Sequence, residues 1–148
     1  MSSASPRVAY TRLAADAFKG LLAASHAVHE SSLGRELVEL VFLRVSQING
    51  CGYCMDMHGT ALRKAGIEPR KLDTLPAWQE SRFFDARERA ALAWAEALTR
   101  LPDRAPPDAT FDALGAHFDD QGIADLSMAV ALINAWNRLG AGLLPPLP

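Results

Sequence analysis

The segment Val45-Ser-Gln-Ile-Asn-Gly-Cys-Gly-Tyr-Cys-Met-Asp-Met-His58 sets the architecture of this chain. Asn and Gly tolerate the left-handed backbone that terminates helices, so Asn49-Gly50 closes one helix and leaves Cys51 at the start of the next. Cys51, Cys54 and His58 then follow at spacings of three and four, which puts all of them on one helical face. Two helices joined at a cysteine pair form the unit around which the rest is read.

Upstream, Leu33, Leu37, Leu40, Val41 and Arg44 recur at helical intervals near one broad face, with Glu36 and Glu39 beside it. The run through Val38, Val41, Val45 and Ile48 is the one region where a strand competes. Length and the i, i+3, i+4 spacing favour a helix buried nearly all round. Ser31-Ser32 supplies the break before it and a candidate cap. Earlier still, Leu13, Ala14, Ala17, Phe18, Leu21 and Leu22 predict a first helix from Leu13 to about His29.

Downstream, the cysteine-bearing helix runs to Ala65-Gly66, and residues 67–76 form a connector with a short turn around Leu72 and Leu75. Asp85-Ala-Arg-Glu88 has the spacing of a capping box and opens a long helix through Leu98. Pro102, Pro106 and Pro107 end that helix. A short one over about residues 108–118 leads through Asp119-Asp120 to a last long helix, which Gly140, Gly142, Pro145 and Pro146 close. No fixed-period repeat and no glycine-rich phosphate loop is evident. The fold class is all-α, a single-domain helical bundle of about six helices.

At 148 residues the chain fits one domain that buries roughly two thirds of its unfolded surface. With 49% apolar and 22% charged residues its profile is globular. The net charge is −2. No basic stripe interleaved with aromatics is present, which argues against nucleic acid as a partner. No run of apolar residues is long enough to span a membrane, and the N-terminus does not read as a signal peptide. Two closely spaced cysteines do not make a secreted disulfide framework; they leave a redox pair, metal ligands or two core thiols.

A Cys-x-x-Cys pair at a helix start offers one sulfur that attacks and one that resolves, with unpaired backbone NH groups to stabilise a thiolate. His58 shares a face with Cys54 and is its better proton acceptor, whereas Cys51 has the better claim on the helix terminus. Zinc is the chemical competitor. No second Cys-x-x-Cys or His-x-x-x-His motif completes a closed site, and Glu39 or His29 could do so only through the tertiary fold. Glu39, set among Leu37, Val38, Leu40, Val41 and Phe42, is a plausible proton carrier if enclosed; spacing leaves open whether Glu39 or Glu36 faces the cysteines. Trp78, Trp94 and Trp136 read as core or interface anchors, and Asn137 and Arg138 as structural polar residues.

Glu39, the Cys51-Gly-Tyr-Cys54 pair and His58 together resemble the core of the alkylhydroperoxidase D-like, or carboxymuconolactone decarboxylase-like, superfamily. The likeness extends from about residue 30 to Leu139, through Glu88-Arg-Ala-Ala-Leu-Ala-Trp-Ala-Glu-Ala-Leu-Thr99 and Asn134-Ala-Trp-Asn-Arg-Leu139. It implies an all-helical alkylhydroperoxidase D-like domain over residues 13–148 behind a flexible N-terminus of residues 1–12. It also implies a homo-trimer or homo-hexamer with the cysteines in a cleft near subunit contacts.

The implied activity is cofactor-free reduction of a hydroperoxide or a protein disulfide. Cys54 is the attacking thiolate, Cys51 the resolving thiol, and Glu39 with His58 the proton relay. Turnover draws on an external dithiol protein or small-thiol reductant, in the cytoplasm. One departure matters: the best-characterised branch carries a histidine just before its second cysteine, where this chain has Tyr53, a poor proton acceptor near neutral pH. Two rivals stand beside this expectation. One is a lyase or isomerase using Glu39 and His58, like the family's decarboxylases, which lack the cysteine pair. The other is a non-catalytic oligomeric binding or structural protein.

Overall fold

Gly50, at φ 68°, turns the chain between the two helices that carry the motif, and the all-α fold is built outward from that corner. The computed structural model describes residues 5–145. Among them are eight α-helices: α1 (Tyr10–Leu13), α2 (Ala15–His29), α3 (Arg35–Asn49), α4 (Gly52–Lys64), α5 (Pro69–Asp73), α6 (Ala86–Thr99), α7 (Asp108–Asp112) and α8 (Asp120–Leu143). Short 3-10 turns follow α5 at Leu75–Ala77 and α7 at Ala113–Ala116. Residues 1–4 of the expected N-terminal segment, and Pro146, lie outside the described residues.

The strong local signals hold. Asp85 and Glu88 exchange both hydrogen bonds of a capping box at α6, and Asp119 caps α8 through Gly122 N at 2.8 Å. The Ser31-Ser32 cap does not form. Ser31 Oγ donates to Val28 O at 2.7 Å and closes the end of α2 instead, while Gly34, at φ 86°, leads into α3 without a side-chain cap. The boundary expected at residue 13 falls inside α1, and Arg7 N donates to Leu143 O at 2.9 Å, tying this segment to the end of α8.

α3 lies at the centre, packed against α4, α6 and α8. On one side Val38, Val41, Phe42 and Val45 join Ala91, Ala95, Leu126, Val130 and Ile133 in one core. On the other, Leu40 and Leu43 join Leu62, Leu72, Leu75, Trp78, Phe84 and Leu92 in a second. Each fully buried aliphatic side chain contributes about 1.5–3 kcal/mol, so a helix feeding two cores anchors whatever it carries. The charged side chain this helix buries is matched: Arg44 Nε donates to Glu96 Oε1 at 2.8 Å, and Trp78 Nε1 donates to the same oxygen at 2.9 Å.

Candidate active site

Cys51 is the N-cap of α4, and its Sγ accepts a hydrogen bond from Cys54 N at 3.3 Å. The two cysteines are joined as a disulfide with Cα atoms 5.3 Å apart. Both are buried, Cys51 at 1% exposure and Cys54 at 3%. α8 closes over them at Gly140, where a Cβ would stand 2.7 Å from Cys51 Sγ and 3.2 Å from Cys54 Sγ. Here the sequence expectation is corrected. Gly140 and Gly142 do not end α8, which continues to Leu143. The missing side chain at Gly140 serves to let the sulfurs lie against the helix.

A corner of three asparagines fixes the turn that presents the pair. Asn49 Nδ2 donates to Asn134 Oδ1 at 2.9 Å and to Asn137 Oδ1 at 3.0 Å. Asn137 Nδ2 in turn donates to Ser46 Oγ at 2.9 Å. Asn137 is 1% exposed, and these bonds pin the end of α3 to α8 directly behind the cysteines. Arg138 is exposed and bonds only back to its own helix at Asn134.

The roll of α3 settles which glutamate turns inward. Glu36 is exposed, with Lys71 at 4.0 Å. Glu39 is enclosed and divides its oxygens between two imidazoles, with Oε2 2.7 Å from His58 Nδ1 and Oε1 2.7 Å from His29 Nε2. Burial pushes the Glu39 carboxyl upward; hydrogen bonds and charge from His58, then from His29, outweigh it and hold the group below the ordinary 4.5. Phe42 separates and seats the imidazoles edge-to-face, 5.1 Å from His58 and 5.4 Å from His29 between ring centroids. Among the described residues, no hydrogen bond joins His58 to either sulfur.

His29, at the end of α2, is the residue whose part the sequence conceals. It lies ten positions before Glu39 across a turn, and no local spacing brings them together. One turn earlier on α2, the Ser25 carbonyl oxygen is 2.7 Å from His29 Nδ1, a backbone contact that no residue type signals.

His29, Glu39 and His58 line one end of a cavity of about 470 Å³. Its other walls are mostly apolar or aromatic, including Val8, Phe18, Leu22, Met57 and Trp136, with Thr11 and Ser25 among them. Tyr10 and Tyr53 add two phenols, and Pro6, Val8, Ala9, Tyr10 and Thr11, expected to precede the domain, form part of its lining. Burial, then the charge of Tyr53, raises the Tyr10 phenol above its ordinary 10.0. Neither cysteine lines this space, whereas Tyr53, between them in the first turn of α4, does. A cavity of this size, mostly apolar with a few convergent polar groups, matches sites for small organic molecules. Among the described residues, no three His, Cys, Asp or Glu side chains are grouped to hold a metal ion. No helix there is long and apolar enough to cross a membrane.

A compact all-α unit that seats a Cys-x-x-Cys disulfide at a helix start, beside a half-buried carboxylate paired with imidazole, defines a small class of helical proteins. Residues 13–97 match the Carboxymuconolactone decarboxylase family, and the chain belongs to that family. The uncharacterised protein YdfG of Bacillus subtilis is 36% identical over 135 residues, covering 91% of this chain and 92% of that one. A solved structure of a protein of unknown function from Agrobacterium tumefaciens, named for antioxidant defence of the AhpD kind, superposes with a TM-score of 0.92. It has 35% identity and covers 97% of this chain and 99% of that one. The alkyl hydroperoxide reductase AhpD of Streptomyces griseus is 60% identical over 30 residues, 20% of this chain and 17% of that one.

Proposed function

We propose that this chain is a thiol-dependent oxidoreductase, a peroxidase or disulfide reductase in which Cys54 attacks, Cys51 resolves, and Glu39 with His58 moves the proton. The observation that carries the reading is a disulfide at the first turn of α4, one turn ahead of a histidine held 2.7 Å from a half-buried carboxylate. The name of the Streptomyces relative, an alkyl hydroperoxide reductase, supports it. The largely apolar cavity favours an organic hydroperoxide over hydrogen peroxide.

In the reduced protein, Cys54 gives its proton to the free Nε2 of His58 while Glu39 holds the opposite nitrogen. The thiolate attacks the outer oxygen of a hydroperoxide, the O–O bond breaks, and the departing alkoxide takes the proton from His58 to leave as an alcohol. Cys54 is then a sulfenic acid. The Cys51 thiol attacks that sulfur, hydroxide leaves with the thiol proton as water, and the disulfide forms. An external dithiol protein or small thiol returns two electrons and two protons and becomes a disulfide itself. With a partner disulfide as substrate, attack by Cys54 gives a mixed disulfide, which Cys51 resolves, releasing the partner as a dithiol. The trimeric or hexameric assembly belongs to the same proposal and is read by sedimentation.

The test is consumption of an organic hydroperoxide by the purified chain with a dithiol supplied, alongside mass measurement of the cysteine redox state. Hydroperoxide loss, with Cys51 and Cys54 cycling between thiols and disulfide, is the expected result. Turnover that survives replacement of both cysteines by serine would assign the site to acid–base lyase chemistry. Cysteines inert to peroxide and to thiol reagents under native conditions would make this a binding protein.

A further inference from the structure

The hydrogen bonds around Glu39 can be counted proton by proton. His29 Nδ1 lies 2.7 Å from Ser25 O, an atom that only accepts, so Nδ1 carries a proton. The contact between His29 Nε2 and Glu39 Oε1, also 2.7 Å, needs a proton of its own. So does the 2.7 Å contact between Glu39 Oε2 and His58 Nδ1. Two neutral imidazoles and an ionised carboxylate bring two protons to three contacts, and without the third two lone pairs would face each other. The cluster therefore holds one further proton, and its net charge is zero.

We propose that His29 is a positioning residue that keeps this extra proton against Glu39, neutralising the carboxylate from the α2 side and leaving His58 Nε2 as an unprotonated base. An isolated Glu39 carboxylate would draw a proton onto His58 instead, because an opposite charge at hydrogen-bond distance favours the charged imidazole. With His29 sharing the carboxylate, that pull is divided. The count stands by itself, while its consequence for thiol chemistry rests on the redox reading above.

Among the described residues, no Lys, Arg or Asp side chain lines the cavity. The titratable groups lining the cavity are Tyr10 on α1, His29 on α2, Glu39 on α3, and Tyr53 and His58 on α4; α8 contributes Trp136. The Arg35–Glu30 pair beside the α2–α3 turn is exposed, with each partner answering the other at 2.7 Å. Trp136 Nε1 donates to Ser25 Oγ at 2.9 Å, which leaves the Ser25 carbonyl for His29.

Nitrogen-resolved NMR of the imidazoles in the full-length oxidised chain, with carbon NMR of the Glu39 carboxyl, tests this near neutral pH. The expected spectrum has His58 protonated at Nδ1 only. It also has both nitrogens of His29 protonated, opposite an ionised Glu39. A bare His29 Nε2 opposite an ionised Glu39 overturns the proposal. In the H29Q variant the amide still donates to Oε1 but brings no titratable proton. There the His58 Nε2 resonance should move to that of a protonated nitrogen, and hydroperoxide turnover on the acid limb should fall about tenfold, with the limb displaced to higher pH.

An H29Q protein with the wild-type His58 spectrum and pH profile makes His29 a simple hydrogen-bond donor and sinks the idea. If H29Q does not fold, the wild-type spectrum decides alone. A wild-type protein that shows the expected spectrum yet consumes no hydroperoxide upholds the role of His29 and removes the redox reading.

Discussion

Glu39 ties the stability of the fold to pH through its two imidazole partners. Burial raises its carboxyl, but hydrogen bonds and charge from His58 and then His29 leave it below 4.5 in the folded state. A depressed carboxylate contributes stability that is fully present above the unfolded value and is lost as pH falls through the lower folded one. The stability gap between wild type and E39Q, measured by urea unfolding, should therefore shrink as pH is taken from neutral to below that folded value; a gap independent of pH would contradict the assignment. Gly140 offers a steric counterpart. In G140A the new methyl meets Cys51 Sγ at 2.7 Å, closer than real contacts allow, and the cost should be about 1–3 kcal/mol. Thermal unfolding of the oxidised protein should reveal the whole penalty, and reduction should relieve part of it as the sulfurs separate.

Between α3 and α6 the governing contact is a buried charge with two donors. Glu96 is 9% exposed and depends on Arg44, itself 8% exposed, and on Trp78. Replacing Arg44 by methionine strands the carboxylate, and the expected loss in chemical denaturation is about 3–5 kcal/mol. R44M/E96L, which removes both charges, should recover most of it; equal losses in the single and double variants would show that the pair is not the cause. Element boundaries were legible wherever the determinant is local. The Asp85–Glu88 box, the Asp119 cap and Gly50 all act within four residues of themselves, and α3, α4 and α6 fall within about two residues of expectation. The short α1 and α5 carry too few residues for a periodic signal, and Gly140 misled because its purpose is a contact with Cys51, distant in sequence. Cys51, Cys54 and His58 could be grouped from one helix alone. Choosing Glu39 over Glu36 required the roll of α3 against α4, and finding His29 required α2 to pack beside both.

Across the whole molecule, the segment around α1 and Pro145, just after α8, meet at one cavity. Pro6, Val8, Ala9, Tyr10, Thr11 and Pro145 share its lining, and Arg7 N bonds to Leu143 O. Tyr10 and Val8 thus border the same space as the imidazoles. The double variant V8A/Y10A should raise KM for a bulky organic hydroperoxide several-fold, on the order of 1 kcal/mol of lost apolar contact, while leaving turnover of hydrogen peroxide nearly unchanged. Equal effects on both substrates would place the substrate path elsewhere. Trp136 sits in that wall, with its indole nitrogen fixed on Ser25 and its ring edge-to-face with Phe18 at 5.8 Å between centroids. Trp78 and Trp94 are buried and lie outside the lining of this cavity. The protein thus carries a built-in optical reporter: its emission should combine a steady contribution from two enclosed indoles with one that changes in colour and intensity as the cavity fills, and W136F should silence the changing part.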